Sequence, residues 1–272
     1  MKSLAVATLA VLPLADAAFA QEGGPRGAQP EGWSVSLGAG AVFGPIYQGA
    51  DDYGLSVFPD IRLAYGDRFF ASVPEGLGAN LINTPSWKAG PIARIRFGRD
   101  DDNGGSPFLL TGETDDLAGL GDIPAAAELG GFVEHRNGAF RLRAETRRGF
   151  GAHQGIIGDL SARYARRFAS TLVTAGPTAT FATADYVDRY FGIDAGQSLA
   201  SGLPAFDPDG GLVSYGAGVT AVRPLNRRVT AAFIANYERI AGDAADSPIV
   251  RDLGDADQVT AILSLSYRFG GR

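Results

Sequence analysis

The residues of this chain that could do chemistry fall into three groups. The largest is a set of charged side chains set among apolar and glycine-rich runs: Arg94, Arg96, Glu128, Glu134, Arg141, Arg143, Arg147 and Arg163. On a strand, residues two apart share one face, so this set can form a ladder of ion pairs or a constriction that sorts solutes by charge. The second group is His153 with Asp159 and Ser161, the residue types of a base, an orienting acid and a nucleophile. Their context, "GFGAHQG", has no nucleophile-elbow pattern, so His153 is expected to hydrogen-bond in a loop or rim. The third is the run Asp100-Asp101-Asp102-Asn103-Gly104, which lacks the ligand spacing and distal glutamate of a calcium loop and reads as a solvated acidic loop.

Composition narrows the chemistry further. Cysteine is absent, which removes thiol nucleophiles, thiolate metal sites and disulfides. A net charge of −6 spread along the chain, with no basic run, argues against a nucleic-acid partner. Gly38-Ala39-Gly40 sits inside a strand pattern with no helix after it, so it is no dinucleotide fingerprint. No catalytic, cofactor-binding or metal site is expected from these residues.

The elements that must carry the charged set are strands. From Trp33 onward the dominant period is two: Trp33, Val35, Leu37, Ala39, Ala41 and Phe43 alternate with serine and glycine. Residues 53–65, 229–237 and 259–269 repeat the pattern. Weaker versions lie near 68–82, 87–98, 124–135, 139–150, 157–167, 170–182 and 211–223. Each has one apolar face and one small or polar face, and most are long enough for a tilted membrane crossing. The fold class expected is an all-β, antiparallel transmembrane β-barrel of about twelve strands. Splitting 68–82 at Pro74-Glu75-Gly76 gives twelve, and one weak segment being a loop would give ten; an even count returns both chain ends to one side.

One hairpin can be registered. Taking Asn137-Gly138 as a two-residue turn places Arg136 opposite Ala139, Glu134 opposite Arg141 and Glu128 opposite Arg147. The other face then pairs His135 with Phe140, Val133 with Leu142 and Gly131 with Ala144. Charges and apolar groups sort without conflict, as a polar lumen and a lipid-facing exterior require. Aromatic residues fall into two rims: Trp33, Tyr65, Trp87, Phe140, Tyr164, Tyr267 and Phe269 at one end, Phe43, Tyr53, Phe181, Tyr215 and Tyr237 at the other. His135 is expected to face outward near the first rim.

Residues 1–20 read as a secretory signal peptide, with Lys2, an apolar core from Leu4 to Leu14, and Ala18-Phe19-Ala20 before Gln21. Residues 21–31 read as a flexible periplasmic leader and 32–272 as the barrel. Short turns near 137–138, 167–169 and 224–228 then face the periplasm. The connections 99–123, 183–210 and 241–256 face outward as long loops, and "GDAADSPIV" at 242–250 resembles neither a tight hairpin nor a helix.

That last loop, with its residues Gly242, Asp243, Asp246, Ser247 and Pro248, followed by "GDADQ", resembles the final outer loop of the MipA/OmpV family. Further pieces match in order: Gly119-Leu120-Gly121-Asp122, Glu128 with Gly130, His153-Gln154-Gly155 with Asp159, Gly176-Pro177, Tyr190-Phe191-Gly192, Ser201-Gly202-Leu203-Pro204 and Tyr267-Arg268-Phe269. The resemblance implies a non-enzymatic barrel in the outer membrane of a Gram-negative type cell, in contact with lipid and lipopolysaccharide. It further implies a scaffold that joins a murein synthase to a lytic transglycosylase, with a small-solute channel or an adhesin as the alternatives.

Overall fold

The computed structural model describes residues 32–73, 75–102 and 108–269. The signal peptide and leader expected at 1–31 lie outside the described residues. Twelve strands form the wall: β1 (Trp33–Pro45), β2 (Tyr53–Tyr65), β3 (Phe69–Ser72), β4 (Gly76–Ala79), β5 (Trp87–Arg96), β6 (Ala126–Asn137), β7 (Phe140–Gly151), β8 (Ile156–Phe168), β9 (Thr171–Ala182), β10 (Gly211–Pro224), β11 (Val229–Ile240) and β12 (Asp257–Phe269). Each is antiparallel to its neighbours in the chain, and β1 pairs with β12 as well as β2, so the sheet closes on itself. Closure removes the unpaired strand edges that hydrocarbon could not satisfy.

Alternation dictates the two surfaces. Leu37, Phe43, Ile61, Leu129, Leu160, Phe233, Leu263 and Leu265 point outward and are exposed, while Ser36, Asp60, Arg94, Glu128, Thr174, Ser214 and Ser264 point inward and are buried. The aromatic rims are present as contacts between rings. At the end holding both Trp33 and Phe269, Trp33 lies 5.1 Å from Tyr65, Phe140 5.0 Å from Tyr164, and Trp87 4.4 Å from His135. At the other end Phe43 lies 5.4 Å from Tyr53.

The wall is uneven in height. β3 and β4 have four residues each, and β4 meets β5 through Leu77–Ala93 and Gly78–Ile92 alone. Above this low hairpin a segment of the following connection, Leu109–Thr111, pairs with β2 at Leu55 and Ser56 and completes the wall. Leu110 presents an exposed apolar side chain there.

Two expectations need correction. The β6–β7 hairpin turns on Gly138 and Ala139, not on Asn137 and Gly138: Asn137 pairs with Phe140, and φ is +60° at Gly138. Glycine at the first loop position suits a II′ turn, so the loop starts one residue later. Glu134 therefore lies directly opposite Arg143 instead of Arg141, and Glu128 opposite Gly149 instead of Arg147. On the other face His135 pairs with Leu142, Val133 with Ala144 and Gly131 with Thr146. The register shift is even, so every side chain keeps its face.

The second correction concerns the long loops. Among the described residues they carry four short helices, α1 (Ala184–Phe191), α2 (Ala195–Ser201), α3 (Gly242–Asp246) and α4 (Pro248–Arg251), so "GDAADSPIV" is helical on both sides of Ser247. Ser247 caps α4 by accepting from the Ile249 N–H at 3.3 Å, and Pro248 takes the first helical position, where its missing N–H costs nothing. α2 starts with a capping box formed by Asp194 and Gln197. Together the described parts of these loops fold into a cap at the mouth opposite Trp33 and Phe269. One apolar cluster joins Tyr186, Val187, Tyr190 and Phe191 of α1 to Ile157, Val213, Ile240 and Val250. A second joins Ile46, Tyr47, Leu117, Leu120, Ile193 and Ile249. Each large side chain withdrawn from water in this way contributes about 1.5–3 kcal/mol.

Candidate functional site

The inward-facing charges of β5 to β8 form one connected network along one wall of the lumen. Near the rim that carries Trp33 and Phe269, Glu134 accepts from Arg136 at 2.6 Å and Arg141 at 3.4 Å, with Arg143 at 3.5 Å. Arg143 also reaches Glu145 at 2.8 Å, and Glu145 takes Arg94 at 3.0 Å and Arg147 as well. Arg147 then donates to Glu128 at 2.8 Å and to Asp159 at 2.7 Å, while Arg96 makes the second ion pair to Glu128. Thr180 on β9 donates to Asp159 at 2.8 Å.

The ion pairs Glu134–Arg141 and Glu128–Arg147 are thus formed, although neither pair is directly cross-strand. Long arginine side chains bridge the diagonal that the two-residue shift creates. Each of the three glutamates carries two or three arginine partners, Asp159 has Arg147 and the Thr180 hydroxyl, and Glu128 is 1% exposed. Buried ions offset their desolvation only when they are multiply paired, and this network meets that condition.

The outer end of the ladder touches the cap. The Arg96 guanidinium lies over the rings of Tyr186 and Tyr190, 5.0 and 5.8 Å from their centroids. His153 packs edge-on against both rings, at 5.3 and 5.7 Å, with Nε2 3.4 Å from Glu128. A Cβ at Gly149 would lie 2.1 Å from the His153 ring, so only glycine leaves space for the imidazole. Arg99 donates to the Tyr190 carbonyl at 3.0 Å, and burial lowers its guanidinium to about 10. Burial likewise pushes the Tyr47 and Tyr186 hydroxyls up.

His153, Asp159 and Ser161 do not converge. Asp159 is held by Arg147 and Thr180, His153 faces Glu128, and no hydrogen bond joins the three among the described residues. His153 is deeply buried under the cap rather than at a solvated rim. Of the acidic run, Asp100 and Asp101 gather with Asp122, and Asp51 and Asp52 gather with Asp116, each trio within 4.8 Å on the outer loops. Asn103 and Gly104 lie outside the described residues.

The residues of the 242–248 loop act structurally. Gly242 turns the chain with φ +57°, Asp243 accepts from the Asp209 N–H at 2.8 Å, and the Asp246 carbonyl accepts from Arg251 at 3.4 Å. Fully buried Ser247 donates to the Phe191 carbonyl at 2.6 Å, locking α4 to α1 beside buried Pro248. Sequence reasoning passed over the cap contacts of Tyr186 and Tyr190. Their spacing with Val187 and Phe191, one face of a helix, was the available signal.

A closed antiparallel cylinder with an apolar exterior, aromatic rims and an ionic interior is a membrane-spanning β-barrel of the outer-membrane kind. The chain belongs to the MipA family: the family described as MltA-interacting protein MipA matches residues 37–269. Among solved structures the chain is similar to an outer-membrane channel from Pseudomonas putida F1, at 13% identity over 90% of this chain and 98% of that one, with a TM-score of 0.44. It is also similar to the NanC porin, at 8% identity over 86% and 98% with a TM-score of 0.39. A third similarity is to the monoaromatic hydrocarbon channel CymD, at 10% identity over 89% of each chain with a TM-score of 0.38. No curated protein matches the sequence.

Proposed function

We propose that this barrel is a non-enzymatic interaction protein of the outer membrane, whose periplasmic end meets murein-processing enzymes. A lytic transglycosylase and a murein synthase are the partners proposed, and lipid and lipopolysaccharide surround the wall. The cap carries this reading: its own apolar clusters pack the long connections together at the end through which a porin would admit solutes. The first strand begins and the last strand ends at the opposite rim, the one proposed to face the periplasm. The family's description as MltA-interacting supports the choice of partner. Capture on the detergent-solubilised barrel tests it: recovery of a lytic transglycosylase is expected, and recovery of no murein enzyme overturns the reading.

A small-solute channel is the second reading, favoured by the ionic wall. It requires stepwise conductance in planar bilayers that changes in Arg143→Ala. A capped interaction barrel is expected to stay silent.

A further inference from the structure

Charge on this barrel is divided between its two ends. The connections 183–210 and 241–256, at the capped mouth, carry nine aspartates against two arginines. At the other rim, the strand ends and turns of 164–176, 217–233 and 263–269 carry six arginines and no aspartate or glutamate. In a chain whose net charge is −6, the arc of this rim from β8 to β12 is a basic surface. Five of its arginines, Arg166, Arg167, Arg223, Arg227 and Arg228, are exposed.

The register sets them side by side. Arg166 and Arg167 lie opposite Val173 and Leu172 of β9, and Leu172 pairs on its far side with Val222, the neighbour of Arg223. The β10–β11 turn is fixed by the Asn226 side chain, which accepts from the Arg228 and Val229 N–H groups at 2.8 and 2.9 Å. Arg268 of β12 donates its N–H to the Arg228 carbonyl at 2.8 Å, so the arc continues to the last strand.

The depth of the guanidinium groups decides what they meet. Arg166 faces outward between Tyr164 and Phe168, with its guanidinium 5.2 Å from the Phe168 ring centroid. Arg228 donates to the Tyr267 hydroxyl at 2.8 Å and lies 6.0 Å from that ring. Trp33, Tyr164, Phe168, Leu225 and Phe269 are exposed on the same rim. Rings of such a belt lie at headgroup depth, so cations held beside them meet lipid phosphate before they meet a soluble partner. A second observation lies on the adjoining wall. A groove of about 520 Å³ indents the apolar exterior, lined by Trp87, Leu142, Ala144, Leu160, Ala162 and Ala179 among others. Leu160 stands between Ala144 and Ala179 in the register, so the small side chains leave hollows on both sides of it. This apolar channel includes β8, the strand that carries Arg166 and Arg167, and its shape suits an acyl chain.

We propose that this rim is a docking surface for an anionic glycerophospholipid, its phosphate held by the arginine arc and one of its chains laid in the groove. Planar guanidinium forks match phosphate oxygens, and clustered basic residues at a membrane surface select anionic headgroups. The proposal rests on the barrel spanning a membrane and not on the enzyme partners: a barrel that selects anionic lipid yet recovers no murein enzyme keeps the first and loses the second.

The two tryptophans of the chain, Trp33 and Trp87, both lie on this rim and report on it. Their fluorescence is measured for the folded barrel in phosphatidylcholine vesicles that contain a fixed minor fraction of brominated phosphatidylglycerol or, separately, of brominated phosphatidylcholine. The anionic quencher should be enriched at the rim about threefold or more over the zwitterionic one. Raising the salt concentration should shrink that excess. The triple variant Arg166→Gln/Arg223→Gln/Arg228→Gln should be quenched equally by both lipids. Arg239→Gln, at the opposite rim beside Asp257, should behave as the unaltered barrel does. Should the triple variant fail to fold, Arg166→Gln/Arg167→Gln should lower the excess by about half. Equal quenching by the two lipids in the unaltered barrel overturns the site. An excess that survives in the arginine variants overturns it too and, if those variants also lose capture of a murein enzyme, assigns the arginines to that partner.

Discussion

The lumen has two unlike walls. From β5 to β8 the inward positions carry Arg94, Arg96, Glu128, Glu134, Arg141, Arg143, Glu145, Arg147, Asp159 and Arg163. From β10 through β12 to β1 most are small or apolar, Ser214, Thr220, Ala232, Ile234, Ile262, Ser264, Ser36 and Val42, with glycines at 216, 218, 38 and 40, and the charges on this side, Glu238 of β11 and Arg268 of β12, sit near opposite ends of the wall. One wall fills space with long ionic side chains that hold one another in place. The other yields space: a Cβ at Gly40 would lie 2.3 Å from the Phe58 ring, and one at Gly218 would lie 3.4 Å from an Arg163 nitrogen. A narrow barrel can thus be packed from one side, provided that the facing side stays small.

This contrast predicts how each wall responds to change. Arg147→Ala should be the most damaging, because it takes a cation from Glu128, Glu145 and Asp159 at once. Removing one partner of a buried ion pair costs about 3–5 kcal/mol, so urea unfolding should move to clearly lower denaturant. A loss under 1 kcal/mol would show that the network is wet and weakly coupled. Gly40→Leu on the smooth wall should cost about 1–3 kcal/mol by displacing Phe58, read in the same assay. If it left stability unchanged, the space beside β1 would be slack and the packing contrast would fall. Ser264→Ala, which alters neither charge nor volume much, should stay within about 0.5 kcal/mol. A larger effect would mean that the smooth wall also depends on polar contacts.

Much of this was legible in the sequence, for a physical reason. Hydrocarbon on one face and a packed lumen on the other impose strict alternation, so strands, the charged set and the aromatic rims could be read from residue types alone. The twelve-strand count followed from the break near Glu75. The turn at Gly138 was misplaced because Asn-Gly is also the commonest I′ pair, and choosing between the two turns takes one φ angle. The cap was missed because its helices have four to eight residues, too few turns for a stable period. Asp194 with Gln197, and Ser247 before Pro248, were nonetheless start signals in plain view. The depth of His153 was hidden because it arises from α1, which comes thirty or so residues later and packs on it only in three dimensions.

The low hairpin of β3 and β4 gives the cylinder a natural window. At that height the barrier between lipid and lumen is the Leu109–Thr111 patch, borrowed from the connection after β5 and held by few backbone pairs. With so few ladder bonds holding it, this seam should exchange its amide hydrogens well before the full-length strand pairs on either side do.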